Sequence, residues 1–378
     1  MAENFEQFNL EPVSEPDSIF NEAGSAGNLL QKDVQSQNYS HRQRGWRLRP
    51  NGTVEMRVVH IGSDDTDIIL GKNGYYSFGA EADGSAILDG TNTVTWASKS
   101  GSTYTMTRDA YLKNLTISSG VTLKPAGYRP FGTGLLSNSG TIQRNGNAGG
   151  NGDASAGGAG GAALAAGYIL GSAAGKDGGF ASGAGTVGAS VTNSLGSNGG
   201  GSGGNGGSNG GGTGGNGAAG GTATATKYTL ADNWILTTYL DFFTPGFLNT
   251  YNNSAGSGSG GGGEHGGAAD RGGGGSGSAG GILVIPFANI QNNSDGTISS
   301  VGGAGGNGGD GDGNIPPGGG GGGGNGGEII LVYNNYVNRG TVTVAAGAAG
   351  SRGGNTAFGA GNGTAGTVGN IRTFQLEA

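Results

Sequence analysis

The chain has no cysteine, only 3 histidines and 9 prolines, and 12% charged residues. Without cysteine there is no disulfide framework, no thiolate metal site and no cysteine nucleophile. The redox compartment stays undecided on that ground. His41, His60 and His265 lie far apart in sequence. No apolar run is long enough to cross a membrane as a helix. The N-terminus lacks the basic start and apolar core of a secretory signal. It carries Glu3, Glu6, Glu11, Glu15, Asp17 and Glu22 before its first cation, Lys32. A net charge of −7 gives no general affinity for nucleic acid. Proline is scarce and the Gly-X-Y triplet of collagen is absent, so collagen is excluded.

What the chain has is glycine, 92 of its 378 residues. Glycine and proline together make up roughly a quarter of the chain, a level typical of low-complexity sequence. Only 16 of the glycines precede Asn145, so the composition breaks there. Disorder is the plain reading of such a segment, because few hydrophobic residues offset its ordering entropy. Against it stand the strand-like apolar runs at 282–287 and 328–333.

Those runs belong to a repeat. Gly-Gly-Ile282-Leu-Val-Ile285 leads to Ile290-Gln-Asn-Asn-Ser-Asp-Gly-Thr-Ile298 and then to glycine. Gly326-Gly-Glu-Ile329-Ile-Leu-Val332-Tyr leads to Tyr336-Val-Asn-Arg-Gly-Thr-Val342 and then to Ala345-Ala-Gly-Ala-Ala-Gly350. A partial copy occurs at Leu135-Leu-Ser-Asn-Ser-Gly-Thr-Ile142, followed by Gly146-Asn-Ala-Gly-Gly-Asn-Gly152. Buried strand, polar turn, short Gly-Thr-Ile/Val strand and glycine arm recur in one order. The expected fold class is therefore all-β. Short strands with Asn/Ser/Gly corners over 107–145 suit rungs of a parallel β-solenoid, each burying its neighbour's apolar face.

Four segments are expected. Residues 1–40 are acidic and aperiodic, compatible with a docking arm or a disordered terminus. Residues 41–106 read as a small β region, with hairpin signals at Asn51-Gly52 and Asn73-Gly74. It opens on Arg42, Arg44, Trp46, Arg47 and Arg49, which either grip an acidic surface or form a strand with Trp46 and Leu48 inward. Residues 107–145 are the solenoid lead-in, and 146–378 are the glycine-rich part. Two islands interrupt its long arm. The one at 162–174 reads as a helical turn or an apolar patch, and the one at 227–253 is the most aromatic stretch.

Glycine lacks Cβ, so extended backbones can lie close together and bond laterally in a lattice. Asn205, Asn216, Asn307 and Asn325 are then expected at its edges or turns.

No enzyme site is evident. Glycine runs match Gly-x-Gly-x-x-Gly by chance, without the strand, helix and lysine of a phosphate loop. Asp64, Asp65 and Asp67 form either a solvated turn or a calcium loop. Gly305-Gly-Asn-Gly-Gly-Asp310-Gly matches one calcium-binding nonapeptide, but Asp312 replaces the required apolar residue and no tandem copies follow. No metal and no cofactor are expected. Glu264-His265 and Asp270-Arg271 read as a charged loop tip. Exposed tips on rigid scaffolds are where recognition sits. The receptor-contact candidates are Trp234, Tyr239, Phe242, Phe243, Phe247, Tyr251, His265, Asp270 and Ile315. The alternative role of the aromatic set is a local core. Tips at 310–317 and 351–358 complete the expected surface.

The order Ile282-Leu-Val-Ile, Asn292-Asn-Ser-Asp-Gly-Thr-Ile298, Gly-Gly-Ala-Gly-Gly-Asn-Gly308, Ile329-Ile-Leu-Val-Tyr-Asn, Gly340-Thr-Val342 resembles glycine-rich tail-fibre and adhesin-like proteins of bacteriophages. Asn114-Leu-Thr-Ile-Ser-Ser-Gly-Val-Thr-Leu123 and Asn138-Ser-Gly-Thr-Ile142 are similar too, and the likeness covers roughly residues 105–378. The resemblance implies stacked polyglycine-II helices whose connecting loops touch a host receptor, a surface glycan or outer-membrane protein. It also implies a virion-surface location, a homotrimer, and docking on other virion proteins through the N-terminal region with Arg42, Arg44, Trp46, Arg47 and Arg49. A virion decoration protein without a receptor, or a polysaccharide-cleaving spike, are the alternative functions. The chain departs from small detachable adhesins in carrying its own N-terminal arm and β region.

Overall fold

The computed structural model describes residues 78–153, 156–169, 171–172, 174–179, 202–204, 271–311, 316–354 and 359–376, plus the backbone of short strands elsewhere. Two compact units divide the chain at Tyr76/Ser77. In the first unit, β1 (Val34–Gln35), β2 (Trp46–Leu48) and β3 (Val54–Met56) form an antiparallel sheet in that order. Trp46 lies opposite Met56 and Leu48 opposite Val54, so Asn51-Gly52 falls in the connection. β4 (Val59–His60) and β5 (Asp67–Ile68) form an antiparallel pair.

The second unit is all-β among its described residues. Its first strands are β6 (Gly84–Leu88), β7 (Ala97–Ser100), β8 (Thr103–Met106), β9 (Ala110–Ile117), β10 (Thr122–Lys124), β11 (Pro130–Asn138) and β12 (Thr141–Gln143). β13 (Val191–Ser194) and β14 (Ala223–Ala225) make a separate parallel pair. Then come β15 (Ile282–Asn292), β16 (Thr297–Ser299), β17 (Glu328–Tyr333), β18 (Asn335–Asn338), β19 (Thr341–Thr343) and β20 (Asn370–Gln375). No helix of the described residues is long and apolar enough to cross a membrane.

Two main sheets result. One runs β6-β9-β11-β15-β17-β20, with β18 also on β15; the other runs β7-β8-β10-β12-β16-β19. All their pairings are parallel except β7 with β8. Each sequence repeat gives a long strand to the first sheet, turns a corner, and gives a short strand to the second. Thr122, Thr141, Thr297 and Thr341 stand in one column, and Leu123, Ile142, Ile298 and Val342 in the next. Residues of the second column point inward and meet Leu115, Leu136 and Ile290 of the first sheet in one core.

The corner explains the Gly-Thr-Ile/Val signature. A Cβ on Gly140 would crowd the Val121 and Ser118 carbonyls, and one on Gly296 the Asn138 carbonyl. Glycine therefore lets successive corners stack at strand spacing.

β15 and β17 are buried on both faces, which is why they read as unbroken apolar runs. Leu283, Ile285 and Phe287 enter the core between the sheets, while Ile282 and Val284 join Ile330, Val332, Phe78 and Ile169 outside it. Ile169 comes from the 162–174 island, whose described residues include no helix. Arg144 clamps that island: its guanidinium donates to the carbonyls of Ile282 (2.6 Å), Ala165 (3.2 Å) and Ile169 (3.3 Å). Burial pushes the Arg144 pKa down to about 10.

β9 does not alternate evenly along its length. Both neighbours shift register beside Lys113–Asn114, so Leu112 rather than Tyr111 faces the core. Tyr111 stacks on Phe131 at 5.3 Å instead.

Candidate functional site

The glycine segments leave the sheets as arms. Residues 145–153, 301–311 and 344–354 run outward from the second-sheet strands β12, β16 and β19. Residues 271–281, 316–327 and 359–369 run back into β15, β17 and β20. Residues 156–161 and 174–179 form a further returning and outgoing piece.

Hydrogen bonds between arms recur every third residue. Gly146, Gly149 and Gly152 donate to Val301, Ala304 and Asn307, each at 2.8 Å. Gly274, Gly277 and Gly280 donate to Gly319, Gly322 and Asn325. Those pairs run parallel, whereas an outgoing arm and its return run antiparallel: Gly318, Gly321 and Gly324 donate to Gly309, Gly306 and Gly303. Successive N–H groups of one arm thus bond different neighbours: Gly320 donates to Gly361, Gly321 to Gly306 and Gly323 to Thr364.

The number of glycines per triplet follows from the number of neighbours. Residues 318–324 are all glycine, and every one of them is buried. A Cβ on Gly320 would lie 2.1 Å from the Gly350 carbonyl oxygen, and one on Gly321 would lie 2.1 Å from that of Gly275. In 302–310 the pattern is Gly-Gly-X, and the X residues Ala304, Asn307 and Asp310 reach the surface or its margin. In 347–353 only Gly347, Gly350 and Gly353 are buried. The Gly-Gly-X spacing was visible in the sequence as a period of three, but it passes for a plain glycine run unless the interruptions are counted.

Polar side chains in the arms replace missing backbone partners. Asn151 Oδ1 accepts from Asn307 N–H (2.8 Å), and Asn307 Oδ1 from Ser351 N–H (2.9 Å). Asp310 Oδ1 accepts from Gly354 N–H at 2.6 Å. In the nonapeptide-like stretch, Asn307 and Asp310 thus both cap backbone through Oδ1. Asn307 sits at an edge as expected, but Asn325 does not: it is fully buried, and its Oδ1 accepts from Thr367 N–H at 2.7 Å. Interior arms use serine: Ser278 Oγ accepts from Asn147 N–H (2.8 Å).

The far ends of the arms line up. Gly272 N–H donates to Asp153, Gly309 to Gly272 and Gly318 to Gly309, each at 2.9 Å, and Gly353 donates to Gly318 at 3.0 Å. This belt ties together described residues that flank the connections 154–155, 205–270, 312–315 and 355–358. These described arm ends therefore lie together, away from the sheets.

Trp234, Tyr239, Phe242, Phe243, Phe247, Tyr251, His265, Asp270 and Ile315 lie outside the described residues, as do Asn205 and Asn216. So do Arg42, Arg44 and Arg49, while Trp46 and Arg47 are placed by backbone alone in β2. By chain position, the receptor candidates from Trp234 to Asp270 fall in the connection 205–270, and Ile315 in 312–315. Among the described residues no group of three or more His, Cys, Asp or Glu side chains comes together as a metal site. A groove of about 470 Å³ is lined by Asp83, Ser85, Ile87, Asn92, Thr95 and Trp96, among others. Asp83 is already engaged there by Arg108 at 2.5 Å.

No family model, curated protein or solved structure matches the chain.

Proposed function

We propose that this chain is a structural protein of a bacteriophage particle, a fibre or appendage whose glycine-rich part binds a receptor on the host-cell surface. In this reading the two parallel sheets are a short β-solenoid, and the arms are a polyglycine-II lattice that extends each of its turns. The observation that carries it is the belt from Asp153 to Gly353, which gathers the described ends of the arms beside the connections 154–155, 205–270, 312–315 and 355–358. A rigid support whose connections leave from one end suits recognition. The aromatic stretch 227–253 falls by chain position in one of these connections, and aromatic side chains suit stacking on sugar rings. The three-per-turn bonding supports the lattice reading, because it gives each arm several close backbone neighbours. The N-terminal unit docks the chain on other virion proteins, with Arg42, Arg44, Trp46, Arg47 and Arg49 as the contact, and the particle carries it as a homotrimer.

Cryo-microscopy of the particle tests the location, and titration of the labelled full chain onto intact host cells tests the binding. The expected result is density at a tail or surface position together with saturable binding. Binding should weaken when Trp234 and Tyr239 are replaced by Ala. A protein present on the particle that binds no cells is a decoration protein. Absence from the particle overturns the proposal altogether.

A further inference from the structure

The stack ends unevenly. β20 covers β17 only as far as Tyr333, where Leu376 N–H and the Gln375 side chain close on Tyr333 and Asn334. β18 pairs with β15 alone and β19 with β16 alone. Their outer edges carry no strand among the described residues. Val337 and Ile371 are each 45% exposed at this end. Ile371 stands above Ile329, which is buried in the core between the sheets. The core therefore opens here instead of closing.

The hydrogen-bond pattern states what is missing. Asn138 Nδ2 donates to Asn292 Oδ1 and to the Thr297 carbonyl of the next layer. Asn292 Nδ2 repeats this with Asn338 Oδ1 and the Thr341 carbonyl. Asn338 Nδ2 comes next, and no described residue accepts from it. The next layer would have to offer a carboxamide oxygen, then a threonine-like carbonyl after a tight corner, with apolar side chains toward Ile371 and Val342.

A second copy does not supply these. The first layers of the stack hold Leu88 and Ile117 in the column of Asn138, Asn292 and Asn338. Head-to-tail stacking would set an apolar side chain on the Asn338 donor. Tail-to-tail contact reverses the strands, so the corners no longer coincide.

We propose that the β18–β19 edge is a docking site for a different protein, which adds one strand–Asn–Gly-Thr corner–strand layer by backbone pairing. Open sheet edges are efficient templates for added strands, and the side-chain column gives them register. The site is separate from the loop end assigned to receptor contact.

The probe is a fluorescent, end-capped peptide copying residues 334–343, titrated onto the full chain and followed by anisotropy. Saturable binding is expected. It should be lost in Val337→Lys, an exposed position where the thermal melt should stay unchanged, and in Asn338→Leu, which also removes the acceptor of Asn292 Nδ2. A peptide with Leu in place of the asparagine that copies Asn338 should bind about tenfold more weakly, the loss of one hydrogen-bonded contact. Two results overturn the proposal. One is no binding, or binding indifferent to these changes. The other is self-association of the chain in sedimentation that disappears in Val337→Lys, which would make a second copy the occupant.

Discussion

Asn138 Nδ2 donates to Asn292 Oδ1 at 2.8 Å across 154 residues of sequence, and both side chains are fully buried. The two asparagines hold successive layers in register at the same corner, and Asn338 continues the column. Replacing Asn292 by Leu leaves the buried Asn138 Nδ2 donor without its carboxamide acceptor, which costs about 1–3 kcal/mol. Chemical denaturation of Asn292→Leu should show a lower midpoint with the slope retained. A midpoint equal to that of the parent chain would mean that the column contributes nothing.

Gly132 and Phe287 set a second test. The Phe287 ring occupies the space over Gly132, and a methyl built there would lie 1.9 Å from a ring carbon. Gly132→Ala should destabilise by about 1–3 kcal/mol through overpacking. Adding Phe287→Leu should recover part of that loss, because the two sites share one volume. Strictly additive effects in the double-mutant cycle would contradict this contact.

Glu328 gives a pH dependence. Its side chain is fully buried, and burial pushes its pKa up to about 7 against the opposing pull of Arg372, which bonds it from β20. The folded chain therefore holds a proton that the unfolded chain releases at ordinary carboxylate pH. Stability from this group is fully present below about pH 4 and is lost as pH rises to 7. Asp89 acts in the opposite sense at lower pH, since the backbone N–H groups of Asn92 and Thr91 hold its pKa down to about 2. Melting curves between pH 5 and 8 should show the midpoint falling in the parent chain and nearly level in Glu328→Gln. Equal slopes in the two proteins would assign the titration elsewhere.

Much of this fold can be read in the residues. The alternation of Leu123, Ile142, Ile298 and Val342 with threonine, and the recurrence of Asn and Gly at the corners, identify layers because each layer repeats the same chemistry. The unbroken run Ile282–Ile285 identifies a strand covered on both sides. Other features are hidden for physical reasons. Lys113–Asn114 interrupts β9 with an irregularity that no local rule marks, so Tyr111 and Leu112 exchange faces. Ile169 sits in a small-residue island, and only the tertiary clamp of Arg144 shows where it packs. Asn325 looks like an edge residue by type, yet it lies inside because a backbone N–H of Thr367 needs an acceptor there. The proposed loop end is legible only as the set of places where the glycine is interrupted, and composition does not encode which contacts Trp234 or Phe242 make.

Every part of this account needs the arms to pack backbone on backbone, and Gly320 tests that most directly. Its Cβ position falls on the Gly350 carbonyl oxygen, and Gly320 itself accepts from Gly204 N–H at 2.9 Å and donates to Gly361 at 3.1 Å. The measurement is the thermal melt of the full chain carrying Gly320→Leu. The account predicts that the cooperative transition is lost or strongly lowered, because a leucine side chain has no space between the arms. A melt that matches the parent chain would show 318–324 to be a loop and would contradict the lattice.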